Sequence, residues 1–214
     1  MKTLLQCDFD GTITTEDVSF LILDAYGDKG WRRLFQDYKD GRISVGRFNT
    51  LAFATVREDR ETLLDLVKKK TRLRPGLRNL VDYYRGNNIE FAIVSNGLDF
   101  YIRAILEDIG IDNVRVFSAT TRFAGGSVEA RYIGPGGTIV EDNFKDAYLR
   151  LFQQEGYRVI YAGNGISDAA PARQAYRCFA TGDLLAYFRK NGASCIPFDD
   201  LNDIVDGLRS LNLG

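Results

Sequence analysis

Three short apolar runs, each stopping at a polar cluster that contains glycine, constrain this chain most. Thr3–Cys7 runs into Asp8-Phe9-Asp10-Gly11, residues 91–94 into Ser95-Asn96-Gly97, and residues 159–162 into Gly163-Asn164-Gly165-Ile166-Ser167-Asp168. An apolar run this short, closed by turn residues, reads as a buried strand. Helical spacing fills the intervals at 77–85, 100–108 and 144–155, and a last amphipathic helix is predicted over 201–211. Alternating strands and helices imply a parallel sheet covered on both faces. Ligands in such sheets sit beyond the carboxyl ends of the strands. The spacing therefore predicts that Asp8, Asp10, Ser95, Asn96, Asn164 and Asp168 share one rim.

The alternation breaks once. Residues 14–74 carry about four helical segments (LILDAY, WRRLFQDY, VGRFNTLAFATV and RETLLDLVKKK) and no convincing strand, and the β/α rhythm resumes at Pro75-Gly76. Because this segment leaves from the same rim, it is predicted to cap the site. A strand is predicted at 114–119, followed by a β-hairpin at 121–133 around Gly125-Gly126. The expected architecture is α/β: a Rossmann-like parallel-sheet core (1–13 and 75–214), an inserted helical cap (14–74) and a small hairpin.

The 214-residue chain has a formal net charge of −1, so nothing drives it generally toward nucleic acid or anionic membranes. The first apolar run is too short for a secretion signal or a membrane span. Cys7, Cys178 and Cys195 form no CxxC pair, which reads as reduced thiols and a cytoplasmic setting. There is no histidine. Histidine-dependent triads and histidine-ligated zinc are thereby excluded. Carboxylates, lysine and a hard metal must carry any chemistry.

Asp8 and Asp10 lie two apart on an extended segment, so their side chains point the same way while Phe9 points to the core. Two adjacent carboxylates repel, and a divalent cation would stabilise both in ionised form. Oxygen ligands without histidine or cysteine suit Mg²⁺. Gly11 permits close backbone approach to a phosphate, and Thr12 adds a hydroxyl and an N–H. Read alone, this stretch is equally a turn with capping aspartates. Ser95 at a strand end can hold a phosphate oxygen or be a turn serine. Lys145 can neutralise a phosphate or be a solvated surface residue, and Asn164 and Asp168 can ligate a cation or close an ordinary loop. Four such features in this order, each at an element boundary, are hard to assign to turns.

DFDGTIT (8–14), VSNG (94–97), Lys145 and GNGISD (163–168) resemble the four motifs of the haloacid dehalogenase superfamily, in its phosphatase branch with a helical cap after the first motif. The resemblance covers nearly the whole chain. It implies a Mg²⁺-dependent phosphomonoester hydrolase with Asp8 as nucleophile and Asp10 as general acid, then base. Metal contacts would come from Asp8, the Asp10 carbonyl, Asn164 and Asp168, and phosphate contacts from Ser95, Asn96, Lys145, Gly11 and Thr12. A carboxylate nucleophile splits hydrolysis into two easier stages, and Mg²⁺ and Lys145 would offset charge on the phosphoryl group.

One position departs from the pattern: Asn164 stands where the fourth motif usually has aspartate, which removes a negative charge from the metal site. Two branches share the remaining features, the phosphoserine phosphatases and the methionine-salvage phosphatases acting on 2-hydroxy-3-keto-5-methylthiopentenyl phosphate. Asp17 replaces the cap glutamate of the former. Their cap arginine falls near Ala52, although Arg47 and Arg57 lie close in sequence. The comparison favours the salvage type, with a small phosphorylated metabolite as substrate, and admits a homodimer. Phe20, Trp31, Phe48 and Phe53 are expected as core of the cap rather than pocket wall, and Lys68–Lys70 as a solvated helix end. Two other readings stay open: a phosphoester-binding protein without turnover, and a signalling receiver. The sixty-residue helical insertion directly after Asp8 argues against the receiver.

Overall fold

The computed structural model describes residues 2–111 and 113–211; residue 1 and residues 212–214, at the ends of the expected core, lie outside the described residues. Strand β1 (Thr3–Cys7) is buried along its whole length, as a strand covered on both faces must be. It pairs in parallel with β2 (Ile89–Leu98) on one side and β5 (Arg158–Gly163) on the other. With β3 (Arg115–Ala124), β4 (Ser127–Arg131), β6 (Arg177–Ala180) and β7 (Ile196–Pro197), the sheet runs β4-β3-β2-β1-β5-β6-β7. Every pairing is parallel except β3–β4. The chain crosses from β1 to one side and later returns to the other, so β1 lies at the switch point where α/β sheets open a crevice.

Two expectations about strands need correction. The strand predicted to stop at residue 94 continues to Leu98 through a register shift between Val94 and Leu98. Such an irregularity re-aims side chains, and here it turns Ser95 and Asn96 toward the rim. The strand predicted at 114–119 and the first arm of the hairpin are one element: β3 pairs with β2 in its first half and with β4 in its second.

Helices α1 (Val18–Tyr26), α2 (Trp31–Lys39), α3 (Val45–Phe53) and α4 (Arg60–Lys70) fill the interval between β1 and the rest of the sheet. Side-chain oxygens of Asp17, Ser44 and Asp59 accept from first-turn N–H groups and start α1, α3 and α4. Lys68–Lys70 are exposed at the end of α4, where cations oppose the helix dipole. The chain leaves and re-enters the sheet through two paired segments: Thr14 bridges Leu73, and the Arg74 N–H donates to the Ile13 carbonyl at 2.8 Å. Helix α3 docks on the rim, with the Gly46 N–H donating to the Glu141 carbonyl at 3.2 Å. A Cβ on Gly46 would come within 2.5 Å of that same oxygen. The remaining helices, α5 (Leu77–Gly86), α6 (Asp99–Asp108), α7 (Phe144–Gln154), α8 (Ala169–Gln174), α9 (Gly182–Lys190) and α10 (Leu201–Ser210), follow the strand–helix rhythm.

Candidate active site

Cys7 stands in register with Ile93 on one side and Ala162 on the other. The residues after these three positions therefore emerge side by side, and the Asp8 N–H donates to the Ala162 carbonyl at 2.9 Å. A cavity of about 370 Å³ opens above them. Its floor holds Asp8, Asp10, Ser95, Asn96, Lys145 and Asn164, and its far wall comes from α1–α3. Asp17 lines it too, while capping α1 through the Phe20 N–H at 3.1 Å.

Lys145 is the buried cation of this floor, only 3% exposed. Its Nζ lies 2.9 Å from Asp8 Oδ1 and 2.6 Å from Asp168 Oδ1. Burial opposes its charge, but Asp168 and Asp8 outweigh that and hold its pKa above the ordinary lysine value. Asp168 is fully buried and takes no part in the cavity wall. Its Oδ1 also accepts from the Tyr161 hydroxyl at 2.6 Å, and its Oδ2 from the N–H groups of Asn164 and Gly165. Both oxygens are thus engaged, so Asp168 anchors the loop and Lys145.

Carboxylates outnumber cations here. Burial, followed by the neighbouring Asp17 carboxylate, pushes Asp10 up to about 8. Burial likewise lifts Asp8 to about 7 against the pull of Lys145, and Asp17 to about 6. Neither Asp10 nor Asp17 joins an ion pair among the described residues. Asp8 Oδ1 is buried without an aligned hydrogen bond, its Lys145 contact being purely an ion pair.

The side chain of Asn164 completes the cluster. With its nitrogen turned inward, the amide donates to the Asp10 carbonyl (2.9 Å), Thr12 Oγ1 (2.9 Å) and Asp8 Oδ2 (3.2 Å). Turned the other way, its oxygen accepts from the Thr12 hydroxyl. Asp8 Oδ2, the Asp10 carbonyl and the Asn164 amide thus converge on one spot. With the amide turned to present its oxygen instead of its nitrogen, they would form an oxygen-only donor set, which fits a hard divalent cation such as Mg²⁺. Among the described residues, no three acidic, histidine or cysteine side chains cluster as a metal site on their own, so the fit depends on the carbonyl and the amide.

Gly11 and Thr12 sit behind the wall. The Gly11 N–H is directed to Thr14 Oγ1 and the Glu16 carbonyl, and the Thr12 N–H to the Phe9 carbonyl. These bonds tie the loop together. Gly11 has a φ of +75°, and a Cβ there would meet the Asn164 side chain at 2.2 Å, so glycine alone suits this position. Ser95 Oγ accepts from the Gly97 N–H at 3.0 Å. The Asn96 carbonyl accepts from Asn49 Nδ2 (2.9 Å) and from the Tyr132 hydroxyl, while its own Oδ1 is buried without a partner.

Of the cap aromatics, Trp31, Phe48 and Phe53 are buried core as expected, with Phe48 also bordering the cavity, while the half-buried Phe20 lines the cavity, joined by Phe35 and Tyr38. Arg47 and Arg57 are exposed and absent from the lining. Two residues not singled out in the sequence hold the floor in place. Arg74 donates to the carbonyls of Thr12 (2.8 Å), Gly11 (2.7 Å) and Asp199 (2.7 Å). The Tyr101 hydroxyl donates to Asp10 Oδ2 at 2.6 Å.

A parallel sheet carrying these four clusters on one rim under inserted helices defines a class, and comparison agrees. The profile of the haloacid dehalogenase-like hydrolases matches residues 5–173, and the chain belongs to that family. It is 30% identical over 220 residues to a 2-hydroxy-3-keto-5-methylthiopentenyl-1-phosphate phosphatase of Geobacillus kaustophilus, covering 99% of this chain and 98% of the relative. It is 25% identical over 215 residues to the protein of the same name from Exiguobacterium sibiricum, covering 98% of each. Among solved structures, a phosphoserine phosphatase from T. onnurineus superposes with a TM-score of 0.71 at 18% identity, over 100% of this chain and 96% of that one, a likeness of fold. The chain is a phosphatase of this family.

Proposed function

We propose that this phosphatase hydrolyses a small phosphomonoester with Mg²⁺ through an aspartyl-phosphate on Asp8. The observation that carries this reading is the pairing on the cavity floor: Asp8 beside the buried Lys145, and Asp10, held up to about 8, two residues on. Two carboxyl groups with different environments suit a nucleophile and a proton donor. Asp8 attacks phosphorus, the bond to the leaving oxygen breaks, and Asp10 gives its proton to that oxygen. Water then attacks the phosphorus of the aspartyl-phosphate and yields its proton to Asp10, releasing phosphate and regenerating the Asp8 carboxylate. Lys145, the Ser95 hydroxyl and the Asn96 side chain hold the phosphoryl oxygens. Asp8, the Asp10 carbonyl and Asn164 would hold Mg²⁺, which supplies charge neutralisation for the phosphoryl group. Asp168 serves that set indirectly, by anchoring Lys145 and the Asn164 loop. Residues 14–74 act as the cap domain over a core formed by 1–13 and 75–214, and the three unpaired cysteines suit a reducing, cytoplasmic setting.

The cavity also supports a substrate class. Phe20, Phe35, Phe48 and Val45 give its cap side an apolar wall, no arginine lines it among the described residues, and Lys39, which also lines it, holds its ammonium 5.1 Å from the centre of the Phe35 ring. An amino-acid phosphate needs a cation for its carboxylate. A keto-methylthiopentenyl phosphate instead ends in an apolar thioether that suits aromatic walls. Lys39, which lines the cavity, is the feature that favours the second reading, a phosphoserine phosphatase-like enzyme, since an ammonium can bind a substrate carboxylate; Asp17, in place of the glutamate of that type, favours the first. Phosphate release from a panel of both ester types, with Mg²⁺ and with EDTA, tests the proposal beside Asp8→Asn. Mg²⁺-dependent turnover of the thioether ester, abolished in the variant, is expected. Preference for phosphoserine selects the second reading, and a folded wild type that turns over nothing overturns both in favour of a phosphoester-binding protein.

A further inference from the structure

Tyr101 lies on α6, outside the four motifs, with 0% exposure. Its ring packs edge-on against Phe100 (5.4 Å between centroids) and at a tilt against Phe9 (6.5 Å). Its hydroxyl donates to Asp10 Oδ2 at 2.6 Å and stands 2.9 Å from Ser19 Oγ, which α1 carries; either hydroxyl can donate in the latter pair. The other oxygen of Asp10, Oδ1, accepts from the Val18 N–H at 3.0 Å. The carboxyl is therefore gripped from two sides, by a core helix on one oxygen and by the first turn of α1 on the other. Gly97 leaves the room for this grip, because a Cβ there would lie 2.2 Å from both Asp10 Oδ2 and Tyr101 Oη.

We propose that Tyr101 is a positioning residue that aims the Asp10 carboxyl for proton transfer, with Ser19 as the partner that fixes the Tyr101 hydroxyl. A buried tyrosine needs only one partner to be satisfied. Here the hydroxyl bridges two elements: it donates to Asp10 Oδ2, and the Ser19 hydroxyl fixes it from α1. With Oδ1 held by the Val18 N–H, the plane of the carboxyl is set by both contacts. Because Ser19 belongs to α1, the pair forms only with that helix seated on the rim.

This inference rests on the proposed role of Asp10 in proton transfer, and the experiment separates the two. kcat/KM reads only the steps through departure of the leaving group, so it is measured for an alkyl phosphate, whose leaving oxygen needs a proton, and for 4-nitrophenyl phosphate, whose leaving group does not. Tyr101→Phe keeps the ring and removes one oxygen; its fold is checked by circular dichroism and thermal melting. The expected result is a loss of about tenfold or more on the alkyl ester with less than twofold on the aryl ester. Ser19→Ala, which leaves every core ring in place, should lose in the same selective direction by less. Asp10→Asn serves as the reference. If it retains wild-type kcat/KM on the alkyl ester, the role of Asp10 fails. If it loses that activity while Tyr101→Phe and Ser19→Ala match wild type, or lose equally on both esters, the positioning role alone is overturned.

Discussion

Replacing Asn164 with aspartate tests the charge design of the site most directly. One terminal atom of the Asn164 side chain lies 2.9 Å from the Asp10 carbonyl oxygen and 3.2 Å from Asp8 Oδ2. In the amide, a donating nitrogen can occupy that spot; in aspartate only oxygen can. Two unit charges at this separation repel by about 5 kcal/mol at an effective dielectric constant near 20. Each lost hydrogen bond adds about 1 kcal/mol. Proton uptake by the new carboxyl group relieves part of this, so Asn164→Asp in EDTA at pH 8 should be destabilised by about 3–5 kcal/mol, or roughly 6–20 °C in melting midpoint for a chain of this size. Mg²⁺ reverses the sign, because the added charge then faces a dication. Differential scanning calorimetry across a Mg²⁺ titration should show a larger magnesium-induced rise in the variant than in wild type, and isothermal titration should give at least tenfold tighter binding. Equal midpoints in EDTA together with equal rises in Mg²⁺ would refute the reasoning, for then Asn164 does not face the carboxylates in solution.

Gly97→Ala pushes a Cβ to 2.2 Å from Asp10 Oδ2, where ordinary contacts begin at 3.4 Å; a displacement of about 1 Å should lower kcat/KM by roughly a hundredfold, and an unchanged value would mean that Asp10 is not held where proton transfer needs it. Arg74→Met removes three donations to the carbonyls of Gly11, Thr12 and Asp199; the partly buried charge suggests a loss of about 2–4 kcal/mol by urea unfolding. Stability in EDTA should also depend on pH. The folded values of Asp8, Asp10 and Asp17, about 7, 8 and 6, all lie above the ordinary 3.8, so their contribution is intact below about pH 4 and lost as pH rises through 6–8. The melting midpoint in EDTA should therefore fall from pH 5 to 8.5 and flatten with Mg²⁺, whereas a steady rise in EDTA across that window contradicts the assignment.

The rim was legible in the sequence because strand ends are: an apolar run closed by Asp-Phe-Asp-Gly, Ser-Asn-Gly or Gly-Asn-Gly marks both an element and its direction. Once β1 lies between β2 and β5, the register of Cys7 with Ile93 and Ala162 brings the clusters together with no further information. Lys145 was legible only in combination, since one lysine at a helix start carries no signal of burial. The bulge between Val94 and Leu98 was hidden, because nothing in a run ending in Ser-Asn-Gly tells a stop from an irregular continuation. Helical periodicity identified the apolar faces of α1–α3 but not which of those faces look inward to the cap and which into the cavity; Phe35 and Tyr38 escaped for that reason.

What remained invisible has a common physical cause. The partners that fix the cavity floor are far apart in sequence, 91 residues for Tyr101 and Asp10, 47 for Asn49 and Asn96, 62 for Arg74 and Thr12. Tyr101 sits in an amphipathic helix where an aromatic reads as core, and it is core except for one oxygen atom. Asp168 reads as a ligand because it lies in a motif, yet whether its oxygens are free depends on Lys145 and Tyr161, neither of which its own loop encodes. Motifs name groups that can do chemistry, but the hydrogen bonds that decide which lone pairs remain available are settled by tertiary packing. Asn164 unites the two levels. Set against the motif it resembles, it lacks a charge, and its contacts to Asp8 and Asp10 show that an amide there can donate to two oxygens that a carboxylate would repel or leave unpaired.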